Sequence, residues 1–340
     1  MIKLLIVGDV HYRGNNPRSR TDDYPAAIRR KLVEVCELAN RHKVDAIIQA
    51  GDLFDSPTVS LPSIAEVMTL LWNYGTTKSP LLTIPGNHDL FGANQTSLNR
   101  TPFGFMANLK YIQNLQEACS FLGNEDQVVV SGHGYNVDTD RDLEQYLMPQ
   151  DVLDDTEASL QVRLVHGMIL EQRPGFDMRH TLISEIAMQE RAPDILITGH
   201  HHIGFGAKGM EAANKRGKML AINPGALCRL SAHPEEMERQ VQVCLLTIRD
   251  VERFDIDVNM IPLQSARPGY EVLSREHLEV QSEREYRIAE FLGLLAEEGE
   301  TKFLETREII EDVGSREKLP QEVVDEALRR LGVAREQVSA

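Results

Sequence analysis

Long apolar runs, paired cysteines and a basic surplus are what this sequence of 340 residues lacks. No apolar stretch approaches the ~18–20 residues that cross a bilayer. The first apolar run, 1–7, meets Asp9 too soon to be a secretory signal peptide. Membrane-spanning and exported classes are set aside, and a cytoplasmic location is expected. Cys36, Cys119, Cys228 and Cys244 show no CxxC spacing and sit in apolar surroundings, as reduced core thiols do. No internal repeat and no low-complexity tract is present. The formal net charge of −16 lacks the positive excess of many nucleic-acid binders. Half of it falls in residues 271–340, which hold 18 acidic and 10 basic residues. Meanwhile Arg13, Arg18 and Arg20 crowd one loop, and Lys208, Lys215, Arg216 and Lys218 crowd a later one. Net charge governs solubility and steering rather than what a local groove holds, so its sign excludes little.

What is present suits a large α/β domain with a small appendage, and an apolar fraction of 42% is ample for its core. Residues 2–7 read as a buried strand ending in Gly8-Asp9-Val10-His11. A helix is expected over 22–42, with Ile28, Leu32, Val35, Cys36 and Ala39 on one face. A second strand, 44–50, ends in Gly51-Asp52-Leu53-Phe54-Asp55, and a helix over 62–74 leads to a third, 81–85. There Pro85 and Gly86 turn the chain to present Asn87, His88 and Asp89. This is a βαβαβ pattern with parallel strands. Beyond it the expectation is a helix over 103–122, strands at 127–131, 160–165, 194–198 and 219–222, and a helix near 182–190. A Gly- and Lys-rich hairpin loop is expected over 204–218. Alternating runs at 241–248 and 254–262 read as antiparallel strands closing a second sheet. From about Arg267 three amphipathic segments rich in Glu and Arg, 283–298, 303–312 and 320–331, read as helices. The division expected is 1–265 and 266–340.

Five strand ends carry metal-type ligands: Asp9 and His11, Asp52, Asn87 and His88, His166, then His200 and His202. In open α/β sheets the carboxyl ends of the strands form the ligand-binding edge. In Asp9-x-His11 and His200-x-His202, extended backbone would point both members of each pair to one side. Carboxylate, amide and imidazole without thiolate favour hard or borderline ions, Mn²⁺ first and Fe²⁺ or Zn²⁺ after it. About seven ligands are too many for one ion and suit two sharing a carboxylate. Two ions ~3.5–4 Å apart would clamp a phosphoryl group and lower the pKa of a shared water.

Gly8-Asp9-x-His11, Gly51-Asp52-x-x-Asp55, Gly86-Asn87-His88-Asp89, His166-Gly167 and Gly199-His200-x-His202 resemble, in family order, the five-part signature of calcineurin-like metallophosphoesterases. The resemblance implies a two-sheet αββα sandwich with a mostly helical C-terminal extension. It implies one ion on Asp9, His11, Asp52 and His202, and another on Asp52, Asn87, His166 and His200. His88 would protonate the leaving oxygen, with Asp89 orienting its ring. Among subfamilies the chain is most similar to SbcD-type nuclease subunits of the double-strand-break repair complex. That likeness rests on Gly51 to Asp55, on Leu164 to Met168, on Asn223-Pro224-Gly225-Ala226, and on Ile261-Pro262-Leu263 with Arg267-Pro268. Ala226 stands where that subfamily usually has Ser, and its mixed α/β capping domain is not evident in the tail. The implied function is hydrolysis of DNA phosphodiester bonds in repair, recombination or end processing. A homodimer through helices 62–74 and 103–122, and an SbcC-type ATPase docked on the C-terminal helices, are implied by the resemblance alone.

Other readings stand beside this one. A phosphatase, or a phosphodiesterase for cyclic or small nucleotides, keeps the fold and changes the substrate. A scaffold whose tail recruits a partner makes catalysis incidental. Asp55 supports the metal edge or caps a helix, His201 packs behind its neighbours or supports a ligand, and His133 is a rival to His166. The basic loops at 13–20 and 208–218 either overhang the metals and meet phosphates or are simply solvated.

Overall fold

The computed structural model describes residues 1–73, 79–116, 118–123, 127–155, 159–274, 309–311, 313–315 and 319–338. The chain opens with β1 (Ile2–Val7), α1 (Tyr24–His42), β2 (Ala46–Gln49), α2 (Leu61–Asn73) and β3 (Leu81–Thr83). Next come α3 (Pro102–Asn108), β4 (Gln113–Asn114), β5 (Cys119–Leu122), β6 (Val128–His133), α4 (Gln150–Asp155) and β7 (Leu160–Gly167). A short pair, β8 (Ile169–Leu170) and β9 (Thr181–Leu182), precedes α5 (Ile183–Ala187). The series continues with β10 (Ile195–His200), β11 (Gly206–Glu211), β12 (Lys218–Asn223) and α6 (Pro234–Glu238). It then runs through β13 (Gln242–Asp250), β14 (Asp255–Pro262), α7 (Gly269–Val272) and α8 (Gln321–Val338).

Two six-stranded mixed sheets result, in the orders β14-β13-β1-β2-β3-β4 and β11-β12-β10-β7-β6-β5. Alternation along each strand divides the side chains between two layers. Leu4 and Ile6 of β1, Ile48 of β2, Val162 and Leu164 of β7, and Ile195 and Ile197 of β10 share one core between the sheets. Leu5, Val7 and Ile47 face the other way, onto Ile28, Leu32 and Val35 of α1 and Val67 and Leu70 of α2. Leu196 and Val165 meet Ile183 and Ile186 of α5 on the far side of the second sheet. Burying both faces explains the near-continuous apolar strands. At ~1.5–3 kcal/mol per fully buried Leu or Ile, a one-residue slip that swaps faces would forfeit several such terms. The layers are helix, sheet, sheet, helix, as the resemblance implies.

Local signals set the ends of α1. Asp23 accepts from Ala26 N at 3.0 Å, Pro25 occupies the first turn, and Lys43 ends the helix at φ 52°. Between 103 and 122 the structure differs from the expected single helix. Lys110 takes φ 61° after α3, and Ile112 and Leu115 turn into the core. The chain then supplies β4 and β5 to two different sheets. The antiparallel strands expected to close a second sheet instead extend the first, because β13 pairs with β1 from Ile2↔Ile248 to Ile6↔Cys244. Similarly, 204–218 is the β11–β12 hairpin, and its Glu211↔Lys218 end lies five pairs from Gly206↔Asn223. That hairpin tip stands at the start of β10, beside Leu220↔Ile195, and away from His200. Arg216 bonds Asp194 there at 2.8 Å, and Lys218 lies over the Phe254 ring. Residues 215–218 therefore do not overhang the metal edge.

The chain divides into two compact units, Met1–Ser274 and Arg275–Ala340. In the first unit Val272 and Leu273 are buried with Ala232, and Thr21 N bonds Val272 O at 3.1 Å. In the second, α8 covers the expected helix 320–331, with Glu326 paired to Arg329 and Arg330. The expected helix 283–298, and most of 303–312, lie outside the described residues. Among the described residues no helix is long and apolar enough to cross a membrane. The four cysteines are free thiols; Cys36, Cys228 and Cys244 are buried and Cys119 is half-buried.

Candidate metal centre

The parallel strands of both sheets end at one edge. β1, β2 and β3 of the first sheet run on into Asp9, Asp52 and Asn87, while β7 and β10 of the second end at His166 and His200. The donors thus come from two sheets packed face to face, not from one parallel sheet. In the second sheet His166 sits beside Gly199 and His200 beside Gly167.

The side chains fall into two groups that share Asp52. Its Oδ2 lies 3.4 Å from His11 Nε2 and 3.3 Å from His166 Nε2, while its Oδ1 accepts from His88 N at 2.8 Å. On the first side His11 Nε2 is 3.1 Å from His202 Nε2, which is 3.3 Å from Asp9 Oδ2. On the second, Asn87 Oδ1 lies 3.1 Å from His166 Nε2 and 3.0 Å from His200 Nδ1. Asp9, His11, Asp52 and His166 are buried, and Asn87, His200 and His202 are half-buried.

Backbone geometry here runs against local preference. His11 has φ 49°, Asp52 φ 52° and His200 φ 75°, the left-handed region that costs a non-glycine residue ~1–3 kcal/mol. Extended backbone is therefore not what aims Asp9-x-His11 and His200-x-His202. The chain bends at His11 and at His200, which sends His200 to Asn87 and His202 to Asp9. Gly51, at φ 91°, lies against His166; a Cβ there would stand 2.5 Å from Nδ1.

Opposed charges shape the titration of the cluster. Burial would drive the His166 imidazolium down, but the Asp52 carboxylate outweighs it and raises His166 to about 10. Burial pushes the Asp52 carboxyl up, and the charge and hydrogen bond of His166, then the charge of His11, pull it well below its usual range. For Asp9 burial acts upward, and the His202 hydrogen bond with the His166 charge wins. His200 falls to about 4 through burial, then through the charge of His166. Two carboxylates, an amide oxygen and four imidazoles converging in a buried place fit divalent cations. His11, Asp52 and His88, and likewise Asp52, His166 and His200, bring their donor atoms within 4.8 Å of one another. His166 Nδ1 bonds Ala50 O at 2.7 Å, which leaves Nε2 for an ion.

His88 is exposed, and its ring lies 4.5 Å from that of His11. Its Nδ1 is held by Asp55 O at 2.9 Å, so Asp55 and not Asp89 orients the ring. Asp89 is buried and accepts from Leu53 N at 3.2 Å, Phe54 N at 2.9 Å and Gly86 N at 3.0 Å. It pins together the two turns that carry Asp52 and Asn87. Burial and then the Asp52 charge push its carboxyl up to about 7. The Asp55 carboxylate lies 3.2 Å from His11 Nδ1 and accepts from Arg13 at 2.8 Å. It does not cap α2. His133 bonds Asn136 at 3.1 Å and stays outside the cluster; His201 is half-buried, with burial lowering its pKa. Arg20 is held by Asp22 at 2.8 Å.

Two neighbours carried no signal in the sequence. Cys228, read as a core thiol, comes within donor range of His11 and His202. Tyr135 stacks on His200. Each arrives from a loop whose path is set by distant contacts.

Residues 2–204 match the family model described as calcineurin-like phosphoesterase. The chain belongs to that family, whose members are metal-dependent hydrolases using two ions. It is 31% identical over 90 residues to the DNA double-strand break repair protein Mre11 of Methanosarcina acetivorans, spanning 26% of this chain and 14% of that protein. To the protein of the same name from Aeropyrum pernix it is 36% identical over 92 residues, 26% of this chain and 21% of the relative. The chain thus spans under a quarter of either relative's length. A dimetal phosphatase structure from Danio rerio aligns with 77% of this chain and 96% of its own, at TM-score 0.45 and 10% identity.

Proposed function

We propose that this protein is a two-metal phosphodiesterase that hydrolyses DNA, of the SbcD nuclease type. The observation that carries the two-metal part is Asp52 Oδ2, which lies between His11 at 3.4 Å and His166 at 3.3 Å as a shared ligand must. Asp9, His11, Asp52 and His202 would hold one ion, and Asp52, Asn87, His166 and His200 the other. Two divalent ions held there, Mn²⁺ first among the candidates, would supply an activated water and neutralising charge for the phosphoryl oxygens. His88, exposed beside the first group, faces the substrate. With Nδ1 engaged by Asp55 O, its Nε2 carries the proton to the leaving oxygen. The DNA substrate is supported by the local identity to the double-strand break repair proteins. The same reading extends to a homodimer through α2 and α3, which expose Leu61, Trp72 and Phe105, and to an ATPase partner on the C-terminal helices.

The test incubates Mn²⁺-loaded protein with end-labelled single- and double-stranded DNA beside bis(p-nitrophenyl) phosphate. DNA should be cut, and EDTA should stop the cutting. His88→Ala should lower turnover about 10²–10⁴-fold while metal content stays near two per chain. Cleavage of the small ester alone would remove DNA from the reading.

A further inference from the structure

Tyr135 stands beside the second donor group, and no step above uses it. Its ring stacks on that of His200, with centroids 5.6 Å apart and planes at 30°, and meets the His166 ring edge-on at 6.0 Å. The backbone places it: Tyr135 N bonds Pro85 O at 2.9 Å, on the turn that carries Asn87 and His88. Gly134 lies so close to the same turn that a Cβ would stand 2.6 Å from Pro85 Cγ. The ring is half-buried, with His200 across one face, so a ligand can use only the opposite face and the outer edge. At the other end of the donor cluster His88 lies against His11, in the first group. The site therefore has a proton donor beyond one end and an aromatic platform beyond the other.

We propose that Tyr135 determines substrate specificity by stacking the base of the retained nucleotide, the ester substituent that stays on phosphorus. The leaving oxygen departs on the His88 side. This rests on the phosphodiesterase reading and adds to it a preference for a nucleoside on the retained side. Every base has a π-face, so the platform selects nucleotides over aliphatic esters without selecting sequence.

The test uses two substrates with one leaving group, the p-nitrophenyl esters of thymidine 5′-monophosphate and of methyl phosphate, with wild type, Tyr135→Leu and Tyr135→Phe. Wild type should prefer the thymidine ester in kcat/KM. Tyr135→Leu should shrink that preference about 5- to 150-fold, chiefly through KM, as loss of one base–aromatic stack does. Tyr135→Phe should keep it within about twofold, since the hydroxyl is not used. Elemental analysis of each variant monitors the second ion. An equal fall on both esters, or a lost ion in Tyr135→Leu, means the ring only supports His200 and overturns the proposal. So does an unchanged preference in Tyr135→Leu, while hydrolysis of both esters leaves the phosphodiesterase reading standing. If wild type cleaves neither ester, the proposal falls, and the DNA assay above decides the phosphodiesterase reading.

Discussion

Replacing Asp89 by Asn separates two roles that the motif Gly86-Asn87-His88-Asp89 allows. The Asp89 carboxylate, 1% exposed, takes Leu53 N and Gly86 N on Oδ2 and Phe54 N on Oδ1, all within 3.2 Å. Asn keeps one acceptor oxygen, so two of these bonds survive and an NH₂ group faces the third N–H. Losing one charge-assisted bond and stranding a buried donor costs about 2–4 kcal/mol, and Asp89→Ala, which strands three donors, about 4–6. Burial and Asp52 push the Asp89 carboxyl up to about 7, so neutral Asn also escapes a buried charge, and the comparison belongs at about pH 5, where that offset is smaller than at alkaline pH. Denaturation of EDTA-treated protein reads the cost directly, as a fall of roughly 5–10 °C in Tm for Asp89→Asn. Because the three donors sit on the turns carrying Asp52, Asn87 and His88, metal affinity should fall with stability. Suppose instead that Asp89→Asn melts within about 1 °C of wild type, with full metal content but turnover reduced a hundredfold or more. Asp89 would then act on the His88 ring, and the argument from the backbone donors would be refuted.

Two further outcomes follow from the same geometry. His166 is raised to about 10 by Asp52 against burial, so its proton stabilises the metal-free fold fully below its ordinary value near 6.5. That stability is lost as pH rises from about 6.5 towards 10, so stripped protein should weaken across that window in denaturant titrations. Loading with Mn²⁺ should release protons and flatten the loss. Gly51→Ala should cost about 2–4 kcal/mol and displace the second ion, since its Cβ would lie 2.5 Å from His166 Nδ1 at φ 91°. Gly92→Ala is the control: φ is also positive, at 57°, but nothing lies within 4 Å, so the cost should stay near 1 kcal/mol with metal content unchanged.

The donors that meet at the edge were legible in sequence because each follows an apolar strand, and a strand that buries both faces must end in a turn at the sheet edge. Asp9, Asp52, Asn87, His166 and His200 are readable that way one by one. The α1 boundaries were equally local, since Asp23 and Pro25 start the helix within one turn. What no local pattern carries is which strands share a sheet. β13 and β14 alternate as any antiparallel pair does, and only the long-range pairing with β1 puts them in the first sheet. The 103–122 stretch is apolar enough for a helix, yet burial of Ile112 and Leu115 draws it into two short strands. Within the site the same division holds. Sequence determined which donors are present and that they gather at one edge. Tertiary packing alone decided that His11, Asp52 and His200 take left-handed backbone, that Asp55 holds His88 while Asp89 holds two turns, and that Tyr135 lies on His200. Each of those depends on contacts between residues far apart in the chain, whose geometry follows from two sheets closing on one core.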